Sequence, residues 1–187
     1  MPTMFTHPAV PLALGLGLGR RTISRRLLLV GVALSILPDV DVVAFLFSIP
    51  YSAALGHRGF THSLMFAAVV ALFGAVLLRR YQKRFVPALV FLFVAAVSHG
   101  VLDAFTNGGL GITFFWPFSL ERYFAPVHMI EVSPLSASRL FSPRGVTVLL
   151  SEFLWVWLPC IGLYIVLAAY RYLASDGRLQ QLTSHRP

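Results

Sequence analysis

Three short segments hold residues whose types and spacing are suited to chemistry. In His99-Gly-Val-Leu-Asp103 the imidazole and the carboxylate stand four residues apart. On a helix, such positions share a face with their Cβ atoms about 5–6 Å apart. Nitrogen plus carboxylate oxygen is a common ligand pair for zinc, manganese or iron. The same pair would also make a simple His–Asp tether between helices. Pro38-Asp39-Val40-Asp41 sets two carboxylates two residues apart inside an apolar run. Pro38 breaks a helix, so both acids can face a polar cavity. Close carboxylates repel unless a cation sits between them or one stays protonated. The bland alternative is a helix end where the acids cap amides. His57-Arg58-Gly59-Phe60-Thr61-His62-Ser63 is the densest stretch. Gly59 permits a tight backbone path, and Thr61 is expected to cap the next helix. Amides at that helix start, with Arg58, would suit an anionic oxygen such as phosphate. A basic loop at a membrane interface is the alternative.

These groups lie in an unusually apolar chain. Of 187 residues, 57% are hydrophobic and 12% are charged, and the mean hydropathy is +0.78. An ordinary soluble domain is about a quarter charged, so a soluble enzyme is excluded. Disorder, which needs low hydrophobicity, is excluded too. The single Cys160 rules out an internal disulfide framework and a Cys-rich zinc site.

The apolar residues fall into stretches at 8–19, 27–50, 61–78, 85–105 and 146–170. A spanning helix needs about 20 residues, so the first is short and the others suffice. The expected fold is all-α, a polytopic transmembrane bundle of about five spans. It forms a single domain over 1–174, with a polar cytoplasmic tail over 175–187. The first stretch has no basic residue before it, which is the wrong polarity for a cleaved signal. The segment 106–145 is rich in Gly, Pro, Ser and aromatics and reads as an irregular outer loop. Asn107-Gly108-Gly109 marks a turn there, and Phe114-Phe-Trp-Pro-Phe118 suits an interfacial or re-entrant element.

The formal net charge is +8, from 15 basic and 7 acidic residues. Arg20, Arg21, Arg25 and Arg26 lie between the first two stretches. Arg79, Arg80, Lys83 and Arg84 lie between the third and fourth, and Arg171, Arg178 and Arg186 follow the fifth. If these segments are cytoplasmic, only Arg58, Arg122, Arg139 and Arg144 are outside, which is the positive-inside pattern. The charge thus indicates orientation and contact with anionic lipid, not nucleic acid. Asp39, Asp41, Asp103, Glu121, Glu131 and Glu152 fall in spans or on the outer side, and Asp176 alone falls inside. His7, His57, His62 and His99 gather at the same outer level. His128 reads as structural, and His185 lies in the tail.

Ionisable groups within spans default to function. His7, Asp39, Asp41, His57, His62, His99 and Asp103 come from the first four stretches or their ends. A cage built by several helices is a usual form of buried metal site. These seven exceed the roughly four ligands of one tetrahedral zinc. Two metals are held, or some of the seven are catalytic or supporting groups.

The ordered set of an N-terminal His, LPDVD, HRGFTHS, SHGVLDAFTNGG and WPFS resembles the YdjM-like family over roughly residues 5 to 120. That family comprises bacterial inner-membrane proteins described as metal-dependent hydrolases. The resemblance implies Asp39, His62, His99 and Asp103 as metal ligands, with His7, Asp41 and His57 in the site. On this basis the expected protein is a membrane-bound hydrolase facing the periplasm. One or two divalent ions, of which zinc fits best, would be its cofactor. His7 would be a further ligand, Asp41 or His57 a general base or second-metal ligand, and Arg58 an anion stabiliser. A phosphoester of a lipid or lipid-linked molecule would be the substrate. A cation or proton transporter using the same cluster, or a scaffold with a structural metal, are the rival readings.

Overall fold

The computed structural model describes residues 1–82, 84–133 and 142–184, with side chains through 175. Lys83, Arg139, Arg186, His185 and the side chains of Asp176 and Arg178 lie outside the described parts, as does most of the expected tail. Among the described residues every regular element is helical. The helices are α1 (Ala9–Leu18), α2 (Arg25–Ile36), α3 (Leu64–Leu77), α4 (Phe85–Ala104), α5 (Pro143–Glu152) and α6 (Leu158–Ser184). This is the helical membrane bundle expected from the composition.

Among the described residues, three helical segments are long and apolar enough to cross a bilayer: Arg25–Phe47, Phe85–Ala104 and Pro143–Ser175. The first joins α2 to a tighter 3-10 stretch, Leu37–Phe47, with Pro38 at its start. Pro38 has no N–H to continue the α-helical ladder, so the switch falls where the sequence places it. The third joins α5 to α6 through a π-turn, Phe153–Trp157. The expected span at 61–78 is shorter than anticipated. Its helix α3 has 14 residues, about 21 Å at 1.5 Å per residue, against a hydrocarbon core of about 30 Å. The reason lies in its first residues: 60–62 form a separate 3-10 turn that serves the site. Ser63, not Thr61, caps α3 by accepting a hydrogen bond from the Phe66 amide at 3.1 Å.

Helix α4 packs against both α2 and α3, and α1 packs against α6. The contacts use small residues, as helix pairs in lipid do. Ala71, Ala75 and Ala88 are buried beside Leu27, Phe91 and Leu92. Gly31 faces Phe91 so closely that a Cβ would lie 2.5 Å from the ring. This core lies towards the arginine-rich end. There Arg26 stacks over Tyr81 at 4.1 Å, and Arg171 donates to the carbonyls of Leu16 and Gly17.

At the other end, segment 105–133 folds over the helices. It closes on itself through paired amides of Ile112 and Tyr123, both at 2.9 Å. The Arg122 guanidinium donates to carbonyls of Tyr51, Ala53, His57 and Gly111. The expected irregular loop is therefore strapped to the 50–58 segment in part by Arg122. It ends by Ser142, since α5 already starts at Pro143.

Candidate metal centre

Each of the three motifs is carried by a different element, and the elements meet at one point. Helix α4 brings His99 and Asp103, one turn apart on one face. The 3-10 stretch brings Asp39, the turn at 60–62 brings His62, and the segment before α1 brings His7. His7, His99 and Asp103 are each 0% exposed and His62 is 4% exposed. Two triplets, His7–His99–Asp103 and Asp39–His62–His99, each have ligand atoms within 4.8 Å of one another. They share His99, so the five expected ligands form one cage.

The distances across the cage fit a single ion. His62 Nε2 and His99 Nε2 are 3.0 Å apart. His99 Nε2 lies 3.4 Å from Asp39 Oδ1, and His62 Nε2 lies 3.4 Å from Asp103 Oδ2. His7 Nε2 lies 3.7 Å from Asp39 Oδ2 and 3.9 Å from Asp103 Oδ1. Two nitrogens bound to tetrahedral zinc at about 2.0–2.1 Å are on the order of 3.3 Å apart.

The tautomers are fixed from behind. His99 Nδ1 faces the Ser35 carbonyl at 2.8 Å, so it carries the proton. That carbonyl lies in the last turn of α2, where helix carbonyls lack an intrahelical partner. His62 Nδ1 faces Asp41 Oδ2 at 3.2 Å and Thr61 Oγ1 at 3.0 Å, so it too is protonated. With both Nδ1 atoms protonated, the two Nε2 atoms face each other across 3.0 Å, a contact that either a cation or a proton shared between the rings would satisfy. Burial, with His99 beside it, pushes the His7 imidazole down to about 3. A neutral ring is the ligand form. Both nitrogens of His7 and both oxygens of Asp39 and Asp103 are buried without a hydrogen-bond partner. Buried polar groups are seldom left so, and a divalent cation would satisfy them together. The donor set fits zinc or a similar ion.

Asp41 stands behind the cage, not in it. Its Oδ1 pairs with His57 Nδ1 at 2.6 Å. Its Oδ2 accepts from the Arg58 amide at 3.0 Å and from Thr61 Oγ1 at 2.7 Å. With both oxygens engaged, Asp41 orients His62 and His57 and has little capacity left to act as a base. His57 stands beside His62 with ring centroids 5.7 Å apart.

Arg58 has a different task from gripping an anion. Its side chain is fully buried, with Nε 3.0 Å from Asp103 Oδ2. Nη1 donates to the Gly108 carbonyl at 2.7 Å, and Nη2 donates to Thr106 Oγ1 at 3.0 Å. It braces Asp103 and ties the site to the Asn107-Gly108-Gly109 turn. Gly109 has φ +91, and a Cβ there would lie 2.6 Å from Arg58 Nη1. Arg58 itself has φ 61, a left-handed conformation that costs a non-glycine residue about 1–2 kcal/mol. The start of α3 offers no anion cradle either: the Leu64 amide donates to the Phe114 carbonyl at 3.0 Å.

Sequence reading missed Ser35, Thr106 and the pairing of Glu152 with Thr3 and Thr6. Ser35 acts through a backbone carbonyl, which leaves no trace in residue type. Thr106 sits next to the recognised turn, and that adjacency was its one available signal. Glu131 lies apart from the cage, with Asn107 and Arg144.

Comparison with known proteins gives the kinship of the chain. It is 49% identical over 160 residues to inner membrane protein YbcI of Escherichia coli, covering 85% of this chain and 92% of that protein. It is 34% identical over 134 residues to inner membrane protein YdjM of Escherichia coli, covering 66% of this chain and 62% of that protein. The YdjM of Shigella flexneri matches to the same extent. No solved structure matches. The pattern of the YdjM inner membrane protein family fits residues 1–175, and the chain belongs to that family.

Proposed function

We propose that this protein is a metal-dependent hydrolase of the bacterial inner membrane, with its site facing the periplasm and its C-terminus in the cytoplasm. The observation that carries the reading is the pair of Nε2 atoms 3.0 Å apart, ringed by buried carboxylates with no hydrogen-bond partner. His7, Asp39, His62, His99 and Asp103 would hold a divalent ion, with zinc the best fit to this donor set. When bound, such an ion supplies Lewis acidity and lowers the pKa of a water to about 7. The rest falls to the chain. Asp41 holds His62 in its ligand tautomer and holds His57 by Nδ1, which leaves His57 Nε2 to take a proton as general base. Arg58 fixes Asp103 against rotation.

Exposed apolar side chains near the site support a substrate drawn from the membrane. Val40, between the two acids, and Phe47, at the end of the 3-10 stretch, are exposed, as are Phe118 and Leu120 of the overlying loop. A phosphoester of a lipid or lipid-linked molecule is the substrate class we assign. Orientation rests on the exposed Arg20, Arg21, Arg79 and Arg80 at the end opposite the cage. The depth of the cage favours one rival reading, a structural metal that staples the helices, since three of the five ligands are fully buried.

The test is bound zinc in the purified chain and in Asp39→Ala, His62→Ala and His99→Ala, alongside turnover of phospholipid phosphoesters. Loss of metal and of turnover together is the expected result. Unchanged metal content in all three variants would overturn the reading. Stoichiometric zinc in a wild-type chain with no turnover would favour the staple.

A further inference from the structure

Glu152 is a buried acid far from the cage in sequence and outside every motif. It is 1% exposed and closes α5, inside an apolar helix where a carboxylate is costly. Three donors converge on it. The Thr3 amide donates to Oε1, and the hydroxyls of Thr3 and Thr6 donate to Oε2 at 2.7 and 2.6 Å. The π-turn that follows helps to make this possible. In an α-helix, residues five apart stand about 140° round the axis, whereas an i→i+5 turn brings them to one face. Trp157, five residues after Glu152, thereby turns to the same segment, and its Nε1 donates to Thr6 Oγ1 at 3.3 Å. Thr6 is the neighbour of His7.

The reason for this arrangement lies in the imidazoles. His99 is oriented by the Ser35 carbonyl and His62 by Asp41. His7 Nδ1 is buried with no hydrogen-bond partner. The His7 ring stacks on His99, with centroids 3.7 Å apart, but no hydrogen bond holds it, so its backbone shares in setting its position. Thr3 and Thr6 close that backbone into a turn, with the Thr6 amide donating to the Thr3 carbonyl at 2.9 Å. Glu152 grips the turn from outside.

We infer that Glu152 is a positioning residue for the metal centre: by holding Thr3 and Thr6 it fixes the backbone that places His7. This inference rests on the metal reading above and assigns a task to the last span that the motifs leave unexplained. Partners behind a ligand are commonly worth 10–100-fold in metal affinity.

The test uses the full chain in detergent, with zinc alone as probe and a competing chelator to read the dissociation constant. Glu152→Ala is expected to weaken zinc binding about 10–100-fold. X-ray absorption should show one imidazole fewer around the zinc. The double variant His7→Ala, Glu152→Ala should bind as weakly as His7→Ala alone, because the two act through one ligand. Thr6→Val should weaken binding in the same direction, and Thr6→Ser should restore it. Additive losses in the double variant, or an unchanged imidazole count in Glu152→Ala, would overturn the inference. If Glu152→Ala does not fold, wild-type affinity in Thr6→Val overturns it instead. Loss of zinc in His62→Ala with none in Glu152→Ala refutes the positioning role alone. A wild-type chain that takes up no zinc refutes the metal reading and this inference with it.

Discussion

At the scale of single residues, the site separates groups that face the cage from groups that hold them. Asp39 and Asp41 are two residues apart and of one type. A 3-10 stretch turns Asp39 towards His7 and His99 and Asp41 towards His57, Arg58 and Thr61. Arg58 shows the same division, since Nη1 and Nη2 donate within the protein and Nε is ion-paired with Asp103 at 3.0 Å. Removing it leaves Asp103 charged and buried. Arg58→Ala is therefore expected to cost about 3–5 kcal/mol, the usual range for breaking a buried pair. Thermal unfolding in detergent without metal would read this cost. A shift of under about 1 kcal/mol would show that Asp103 does not depend on the guanidinium.

At the scale of elements, small residues decide how closely the ligand-bearing pieces approach. Gly100 follows His99 on α4, and a Cβ there would lie 3.0 Å from the His62 carbonyl oxygen and 3.3 Å from Phe114 Cε1. The glycine lets α4 press against the turn that carries His62. Gly100→Val should force these pieces apart, at about 1–3 kcal/mol of overpacking. It should weaken zinc binding although no ligand is changed. Zinc titration against wild type checks this, and equal affinity would show that the turn can yield. The motif SHGVLD thus combines ligand spacing with a packing requirement, and the sequence made only the spacing visible. The short α3 is a second case. Hydropathy ran on to Thr61, yet the chain leaves the helix at Ser63 because Thr61 and His62 are held by Asp41.

At the scale of the molecule, the cage joins pieces from before α1, the 3-10 stretch after α2, the turn before α3, and α4. An ion there would bind the folded bundle and not the separated helices. Saturating zinc is therefore expected to stabilise the protein, by about 2.7 kcal/mol at a concentration 100 times the dissociation constant. A strong chelator should lower the unfolding temperature of wild type and leave that of His62→Ala unmoved. An identical response in the two would show that the chelator acts elsewhere.

The sequence by itself determined the membrane class, the all-helical bundle, the break at Pro38 and the seven His and Asp residues from which the cage is drawn. These follow from local properties: hydropathy over a helix length, a missing amide hydrogen, and ligand types so scarce in an apolar chain that each was traceable. The tertiary structure alone decided the roles. Which acid of the Asp39–Asp41 pair meets the cage, why Arg58 braces a ligand, and what Glu152 holds all depend on groups far away in the chain. A buried polar side chain takes its task from the partner that satisfies it. For His99 that partner is a backbone carbonyl and for Glu152 it is a segment 146 residues away, neither of which residue type can announce.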